Sequence, residues 1–142
     1  MAKAAGSQVE TRVLAYIDGF NLYFGLKRSR WQRYYWLNLQ LLAQHLLKAD
    51  QELVFTKYFT SRISCLPDKV DRQSTFIQAL ETLDNFQVYY GKYLAVPRKC
   101  RRCGYKDLVQ NEKMTDVNIA VEMMSDLHRL TDPGCTQTTY HH

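Results

Sequence analysis

Three short apolar segments stand out when polar and apolar positions are followed along the chain. The segment RVLAYID at 12–18 is the kind of apolar run that is buried on both faces of a parallel sheet. The segments at 52–61 and 86–93, ELVFTKYFTS and FQVYYGKY, are rich in β-branched and aromatic residues, which favour strands. The pattern therefore predicts three strands.

Helical spacing of apolar residues fills the intervals between these strands and resumes near the end of the chain. Asn38 is the expected N-cap of the clearest helix, and Thr115 is the expected N-cap of the final helix. An order of strand, helices, strand, helix, strand and helix is typical of an α/β fold with a parallel sheet, whose ligands lie at the carboxyl ends of the strands. The predicted helices cover residues 21–28, 36–48, 67–85 and 114–130.

Three other segments show neither period. Residues 1–11 are small and polar and are expected to be disordered. Residues 96–113 are predicted to form a charged excursion, and residues 131–142 form a polar, turn-prone tail. The remaining stretch, 12–130, is predicted to be one domain, because 142 residues with 46% hydrophobic content provide for a single core.

The composition and the first residues of the chain bear on its cellular location. No apolar run approaches the roughly 20 residues that span a bilayer, and the first residues, MAKAAGSQVETR, lack the apolar core of a secretory signal. The four cysteines are irregularly spaced, which favours metal binding or free thiols over a disulfide framework. We therefore expect a cytoplasmic protein with no membrane partner.

The net charge of +5 favours a polyanionic partner, and the cations are clustered. Residues 27–36, KRSRWQRYYW, interleave cations with aromatic rings, and RKCRRC at 98–103 is denser in charge. A cation beside a flat ring is the pairing that binds single-stranded nucleic acid. The alternative is that the rings belong to the core and the cations to a solvated face. The candidate nucleic-acid-binding residues are Lys27, Arg28, Arg30, Arg33, Arg98, Lys99, Arg101 and Arg102.

Two acidic residues from distant parts of the sequence are candidates for a shared site. Asp18 ends the first predicted strand, with Gly19 permitting a sharp turn, and Asp116 opens the last helix at the same edge of the sheet. Close carboxylates repel and favour a hard cation between them, such as Mg²⁺ or Mn²⁺. Asn21 could bond a phosphate or orient Asp18. The alternative is that both acids only cap helices.

IDGFNLY at 17–23, followed after two further strands by EKMTDVNIAVEMM at 112–124, resembles the NYN domain family, a branch of the PIN-like nucleases. The resemblance runs from about Leu14 to Leu127 and includes a cysteine-bearing insert at 96–113. It implies a Rossmann-like fold and metal-dependent cleavage of RNA, with Asp18 and Asp116 as metal-binding acids and Asn21 as a supporting group. The matching residues are Asp18, Gly19, Asn21, Gln73, Gly91, Lys113, Asp116 and Val117.

The end of the chain departs from that family. Members continue with another apolar strand ending in a Ser-Gly-Asp-Ser-Asp type motif, where this chain reads LHRLTDPGCTQTTYHH. We therefore expect a domain truncated at its C-terminus and a weak nuclease, with Asp126 and Asp132 as solvated charges. The edge of the first strand and the apolar face of the last helix are expected to stay uncovered, which favours self-association. The alternative is a non-catalytic RNA-binding or regulatory module.

The segment CRRCG at 100–104 has the spacing of half a zinc site. Cys100 and Cys103 could both reach one tetrahedral ion, but no second half is evident. A redox pair activated by the neighbouring cations is the rival interpretation, and an unmetallated loop is the third. The spacing favours zinc. Candidates for the remaining ligands are Cys65, Cys135, His45, His128, His141 and His142.

Overall fold

The computed structural model describes residues 11–64 and 66–131, and the side chains of residues 92–96, 107–113 and 131 are not described. Predictions for residues 1–10 and for the tail beyond Thr131 lie outside this part of the chain, as do those for Cys65. Within it, the elements in chain order are β1 (Thr11–Asp18), α1 (Gly19–Arg28), a short 3₁₀ helix (Gln32–Tyr34), α2 (Leu39–His45), β2 (Gln51–Ser61), α3 (Pro67–Glu81), β3 (Phe86–Lys99), β4 (Lys106–Lys113) and α4 (Thr115–Thr131).

The chain is an α/β protein with a three-stranded parallel sheet. β1 pairs in parallel with β2, and β2 pairs in parallel with the first part of β3, so that Asp18 lies beside Phe59 and Ser61 beside Gly91. Beyond Gly91, β3 continues as one arm of an antiparallel ribbon with β4. The sheet order is β1-β2-β3-β4. The predicted excursion at 96–113 is therefore wrong in part, because most of it is paired strand.

The side chains of the central strand, β2, point alternately to the two faces of the sheet, and helices cover both faces. Tyr58 lies in the main core with Leu39 of α2, Leu80 of α3 and Phe86 of β3. Its neighbour Lys57 faces the other side of the sheet, where its ammonium contacts acidic residues of α4. The apolar core therefore lies between the sheet and helices α1 to α3, and α4 covers the opposite face.

The helix starts follow local capping chemistry. The Asn38 side chain accepts a hydrogen bond from the backbone N–H of Leu41 at 3.0 Å, which confirms it as the N-cap of α2. Leu37 and Leu42, at the positions of a hydrophobic staple, both pack against the core. α4 begins at Thr115, so Thr115 is the first helical residue and not the N-cap that was predicted.

The apolar residues of α4 point away from the sheet. Val121 and Met124 are 56% and 71% exposed, and Val117 and Leu127 are also exposed. Among the described strands, β1 lies at the edge of the sheet. Over residues 11–64 and 66–131, no other strand pairs with this edge and this face of α4 is exposed, and what covers them stays a prediction. No helix there is long and apolar enough to cross a membrane.

Candidate functional site

Asp18 ends β1 at the carboxyl edge of the parallel sheet and serves as the N-cap of α1. One carboxylate oxygen accepts the backbone N–H of Asn21 at 3.0 Å, and the other accepts the Asn21 side-chain amide at 2.7 Å. The capping interpretation of Asp18 is therefore confirmed, and Asn21 orients its carboxylate. The carboxylate can still accept a further ligand, because each of its oxygens has a second lone pair.

Gly19 is required by close packing rather than by a special backbone angle. It is the first residue of α1 and follows β1 directly, and its φ is not positive, so this turn does not use the left-handed conformation that glycine permits. A Cβ atom at this position would lie 2.5 Å from the hydroxyl oxygen of Tyr58 and 2.9 Å from the carbonyl oxygen of Phe59. Glycine therefore lets the start of α1, and with it Asp18, sit against β2.

The topology returns α4 to the edge where β1 and β2 end. At the base of the β3–β4 ribbon, Lys92 pairs with Lys113. Lys92 directly follows Gly91, which pairs with Ser61 of β2. α4 begins two residues after Lys113, and Asp116 lies in its first turn as an exposed residue. A shared ion between Asp18 and Asp116 stays a prediction.

Gln73 of α3 fixes the backbone that leaves β2 at this edge. Its side-chain amide donates to the carbonyl oxygen of Ser61 at 2.9 Å, and its side-chain oxygen accepts the backbone N–H of Ile63 at 2.9 Å. Because Ser61 is the last paired residue of β2 and Ile63 lies beyond it, the two bonds hold the backbone at the point where sheet pairing ends. Gln73 is therefore a positioning residue.

Two bulky residues at this edge have left-handed backbone conformations. Leu66 precedes α3 with φ of 79°, and Met114 precedes α4 with φ of 78°. For residues with a Cβ atom this region costs on the order of 1–3 kcal/mol, and such strain clusters at functional sites. Both α3 and α4 are thus entered through an unfavourable backbone conformation.

A buried ion cluster lies beneath α4, and the sequence did not reveal it. The Lys57 ammonium lies 2.7 Å from a carboxylate oxygen of Asp126 and 2.8 Å from one of Glu122. The Tyr16 hydroxyl donates to Asp126, and the ammonium also lies 5.5 Å from the ring centre of Tyr89. The prediction that Asp126 is a solvated charge is wrong, since it is only 4% exposed.

The ionisation of this cluster follows from its burial and its bonds. Burial alone lowers the pKa of the Lys57 ammonium, but hydrogen bonds to Asp126 and Glu122 outweigh it, so the pKa is raised. Burial, followed by the hydrogen bond to Asp126, raises the pKa of the Tyr16 hydroxyl. Both groups therefore stay protonated at neutral pH. A lysine in the middle of an apolar strand was the available signal, because lysine is almost never buried unless paired.

The aromatic residues of 27–36 lie largely at the surface. Trp31 and Trp36 are 57% and 55% exposed, so the interpretation that these rings belong to the core is wrong for both. The Arg33 guanidinium lies 4.7 Å from the centre of the Tyr34 ring, a cation–π contact. The cations of this segment, Lys27, Arg28, Arg30 and Arg33, are all exposed.

The second basic cluster occupies the tip of the β3–β4 ribbon together with the cysteine pair. Cys100 and Cys103 are exposed free thiols. The backbone N–H groups of Cys103 and Arg102 donate to the Cys100 sulfur and lower the pKa of its thiol. Gly104 follows with φ of 70°, which a glycine adopts without strain. The exposed cations here are Arg98, Lys99, Arg101 and Arg102.

Within residues 11–64 and 66–131, no three His, Cys, Asp or Glu side chains lie close enough together to hold a metal ion. Neither the candidate acids nor the cysteine pair forms a complete ligand set from this part of the chain. Comparison of the chain with protein-family models, with curated proteins and with solved structures finds no match. The assignment of a function therefore depends on the residues and their arrangement.

Proposed function

We propose that this chain is a metal-dependent, endoribonuclease-like domain of the NYN and PIN-like type, with weak activity on single-stranded RNA. The observation that carries the proposal is the pairing of Asp18 with Asn21 at the carboxyl edge of a parallel sheet. This is the edge at which α/β proteins bind ligands, and it is also the edge from which α4 starts. The exposed basic and aromatic residues of 27–36 supply a surface for a polyanion.

The donors at this edge suit a hard cation. Asp18 presents carboxylate oxygens, and the Asn21 amide nitrogen is committed to Asp18, which leaves its carbonyl oxygen for a ligand. Asp18 and Asp116 would hold Mg²⁺ or Mn²⁺, which supplies a water of lowered pKa and neutralises charge on a phosphate. Asn21 would orient the Asp18 carboxylate, and the exposed cations of residues 27–36 would balance the charge of the phosphodiester. Two acids are few for such an ion, so weak activity is expected.

Asp18→Asn is a sharp test of the catalytic proposal. Asparagine is as good an N-cap as aspartate, so α1 keeps its start while the negative charge is lost. We expect weak cleavage of a labelled single-stranded RNA in Mn²⁺, reduced to background in Asp18→Asn and in Asp116→Asn. Asp68→Asn is the matched control, because Asp68 also lies in the first turn of an exposed helix start. Equal activity in all three variants would contradict the proposal.

A non-catalytic RNA-binding module is the second candidate function. It is favoured by the described residues, which group no three metal-binding side chains. RNA binding without Mn²⁺-dependent cleavage by the unmodified chain would support this candidate over the first. Robust turnover by a monomer, abolished in Asp18→Asn, would instead establish that two acids suffice.

Both candidates require salt-sensitive binding of RNA through the basic clusters. Each phosphate contact on a single strand contributes about 0.7 to the slope of log affinity against log salt. Replacing the ribbon-tip cations by alanine should flatten this slope and weaken binding. Affinity that does not change with salt would argue against RNA as the partner. The residues replaced are Arg98, Lys99, Arg101 and Arg102.

The cysteine pair is proposed to bind zinc. Backbone N–H groups already face the Cys100 sulfur, an arrangement that stabilises a thiolate ligand. Elemental analysis after purification without chelator should find zinc bound to the protein and little in Cys100→Ser. Ser74→Ala serves as the control, since Ser74 is an exposed residue of α3. Equal zinc content in the two variants would exclude the pair as the site.

A further inference from the structure

An open cavity of about 350 Å³ lies next to the start of α1, on the face of the sheet opposite α4. Gly19 and Phe20 of α1, Thr60 of β2 and Phe76 of α3 are among the residues that line it. The volume is within the range of roughly 300–1,000 Å³ typical of ligand sites. Because its wall includes Gly19, the residue after Asp18, the cavity opens at the sheet edge where β1 ends.

Aromatic rings form much of the cavity wall. The rings of Tyr23 and Tyr35 lie 5.0 Å apart between centres, and Trp36 meets Phe76 edge-on at 6.0 Å. Trp36 is nevertheless 55% exposed, so a large part of its surface remains available to a ligand. A flat, apolar ligand group of the size of one ring system fits such a wall by stacking.

The cations of the cavity make its rim positive. Lys27, Lys69 and Arg72 line it, and no aspartate or glutamate is among the described lining residues. Over residues 11–64 and 66–131, none of the three forms a salt bridge with a carboxylate. The ligand that complements the cavity therefore combines a flat ring with negative charge close beside it.

We infer that this cavity accepts one unstacked base of a single-stranded RNA, with the adjoining phosphates at Lys27, Lys69 and Arg72. The inference rests on the proposed RNA-binding function and adds to it a defined position for one nucleotide. A base held there would place the next phosphodiester of the strand near Asp18. The cavity would thus hold one nucleotide of the bound strand in a fixed position beside Asp18.

The test is binding of a single-stranded RNA octamer that carries the fluorescent base 2-aminopurine, compared between Trp36→Ala and Tyr90→Ala. Tyr90 is the control, because it is an exposed aromatic residue that lies outside both the cavity and the basic clusters. Loss of one stacked base corresponds to a roughly 5- to 150-fold weaker affinity. We expect this loss in Trp36→Ala, together with loss of the fluorescence quenching that stacking produces. Tyr90→Ala should keep the quenching.

Conservative and charge variants separate the proposal from a folding defect. Trp36→Phe should restore most of the affinity and the quenching, because a flat ring remains. Lys69→Gln should weaken binding more than Lys48→Gln, since Lys48 is exposed but lies outside the cavity. Equal effects of the two lysine variants would overturn the placement of the phosphates.

The remaining outcomes distinguish this inference from the proposed function. Normal octamer binding and quenching in Trp36→Ala would overturn the inference and leave RNA binding intact. Failure of the unmodified chain to bind the octamer would overturn both. Binding of free 2-aminopurine ribonucleoside monophosphate as tightly as the octamer would identify a mononucleotide as the occupant and overturn the RNA assignment. A decrease in mass by light scattering in Trp36→Ala would assign the cavity to a second copy of the chain.

Discussion

Replacement of Lys57 by methionine tests whether the buried ion cluster holds α4 against the sheet. The Lys57 side chain is 1% exposed, and its ammonium contacts Asp126 at 2.7 Å and Glu122 at 2.8 Å. Methionine fills much of the space of the lysine stem but carries no charge. Two carboxylates would then lie against the sheet without the cation that compensates them.

The cost follows from distance and burial. At an effective dielectric constant of about 20, unit charges 2.8 Å apart attract by about 6 kcal/mol, and the loss of hydration offsets several kcal/mol of this. Asp126 contributes most, because its side chain is 5% exposed against 27% for Glu122. Breaking a buried pair costs about 3–5 kcal/mol, a large part of the roughly 5–15 kcal/mol that stabilises a domain.

Urea unfolding followed by circular dichroism measures this free energy for Lys57→Met and for the double variant Lys57→Met/Asp126→Asn. The asparagine side chain is neutral, and its carbonyl oxygen still accepts the hydrogen bond of Tyr16. The double variant should therefore be more stable than Lys57→Met by at least about 1 kcal/mol. A cost below about 1 kcal/mol for Lys57→Met, or a double variant that is no more stable, would refute the reasoning.

The same cluster makes the fold sensitive to alkali. The pKa values of Lys57 and Tyr16 are both raised in the folded chain. As pH rises past about 10, the unfolded chain releases these protons first, so the folded state binds more protons and the free energy of unfolding falls. The contribution is complete at neutral pH and is lost above about pH 10. Lys57→Met/Tyr16→Phe should show a shallower alkaline decline, measured by urea unfolding across that range.

Two further predictions concern packing and assembly. Gly19→Ala should destabilise the fold by about 1–3 kcal/mol, because the added methyl group would lie 2.5 Å from the Tyr58 hydroxyl. Gly25→Ala, in the middle of α1 with open space around it, should stabilise by about 0.5–1 kcal/mol, and thermal unfolding of the two distinguishes steric conflict from helix propensity. Met124→Glu should shift self-associated protein toward the monomer, because it places a charge in the exposed apolar stripe of α4. Light scattering of Met124→Glu beside Gln78→Glu measures this, and identical masses for both variants would count against the stripe as the contact.

Much of the fold could be predicted from apolar spacing. The strands at 12–18 and 52–61 and the cap at Asn38 agree with the structure within a residue or two, because each is a local pattern with one buried side or one capping bond. The ribbon at 96–113 could not be predicted. Its two strands pair beyond the parallel sheet, and the sequence there shows neither a helical nor a strand period.

The candidate site was predicted less completely than the fold. The capping bond of Asp18 and the support from Asn21 follow from residues three positions apart, so the sequence contains them. The bonds of Lys57 join residues more than sixty positions apart, and periodicity does not specify which side of α4 meets the sheet. The role of Gln73 also depends on where β2 ends in space.

The β3–β4 ribbon carries the second basic cluster away from the parallel sheet. From Lys92 to Lys99 it extends about 23 Å at roughly 3.3 Å per residue, which is close to three Debye lengths at physiological salt. The cations at the tip are therefore screened from charges at the base of the ribbon. Under the proposed function, only a strand long enough to span the ribbon would contact the sheet edge and the tip at once, so longer RNAs would gain affinity from the second contact.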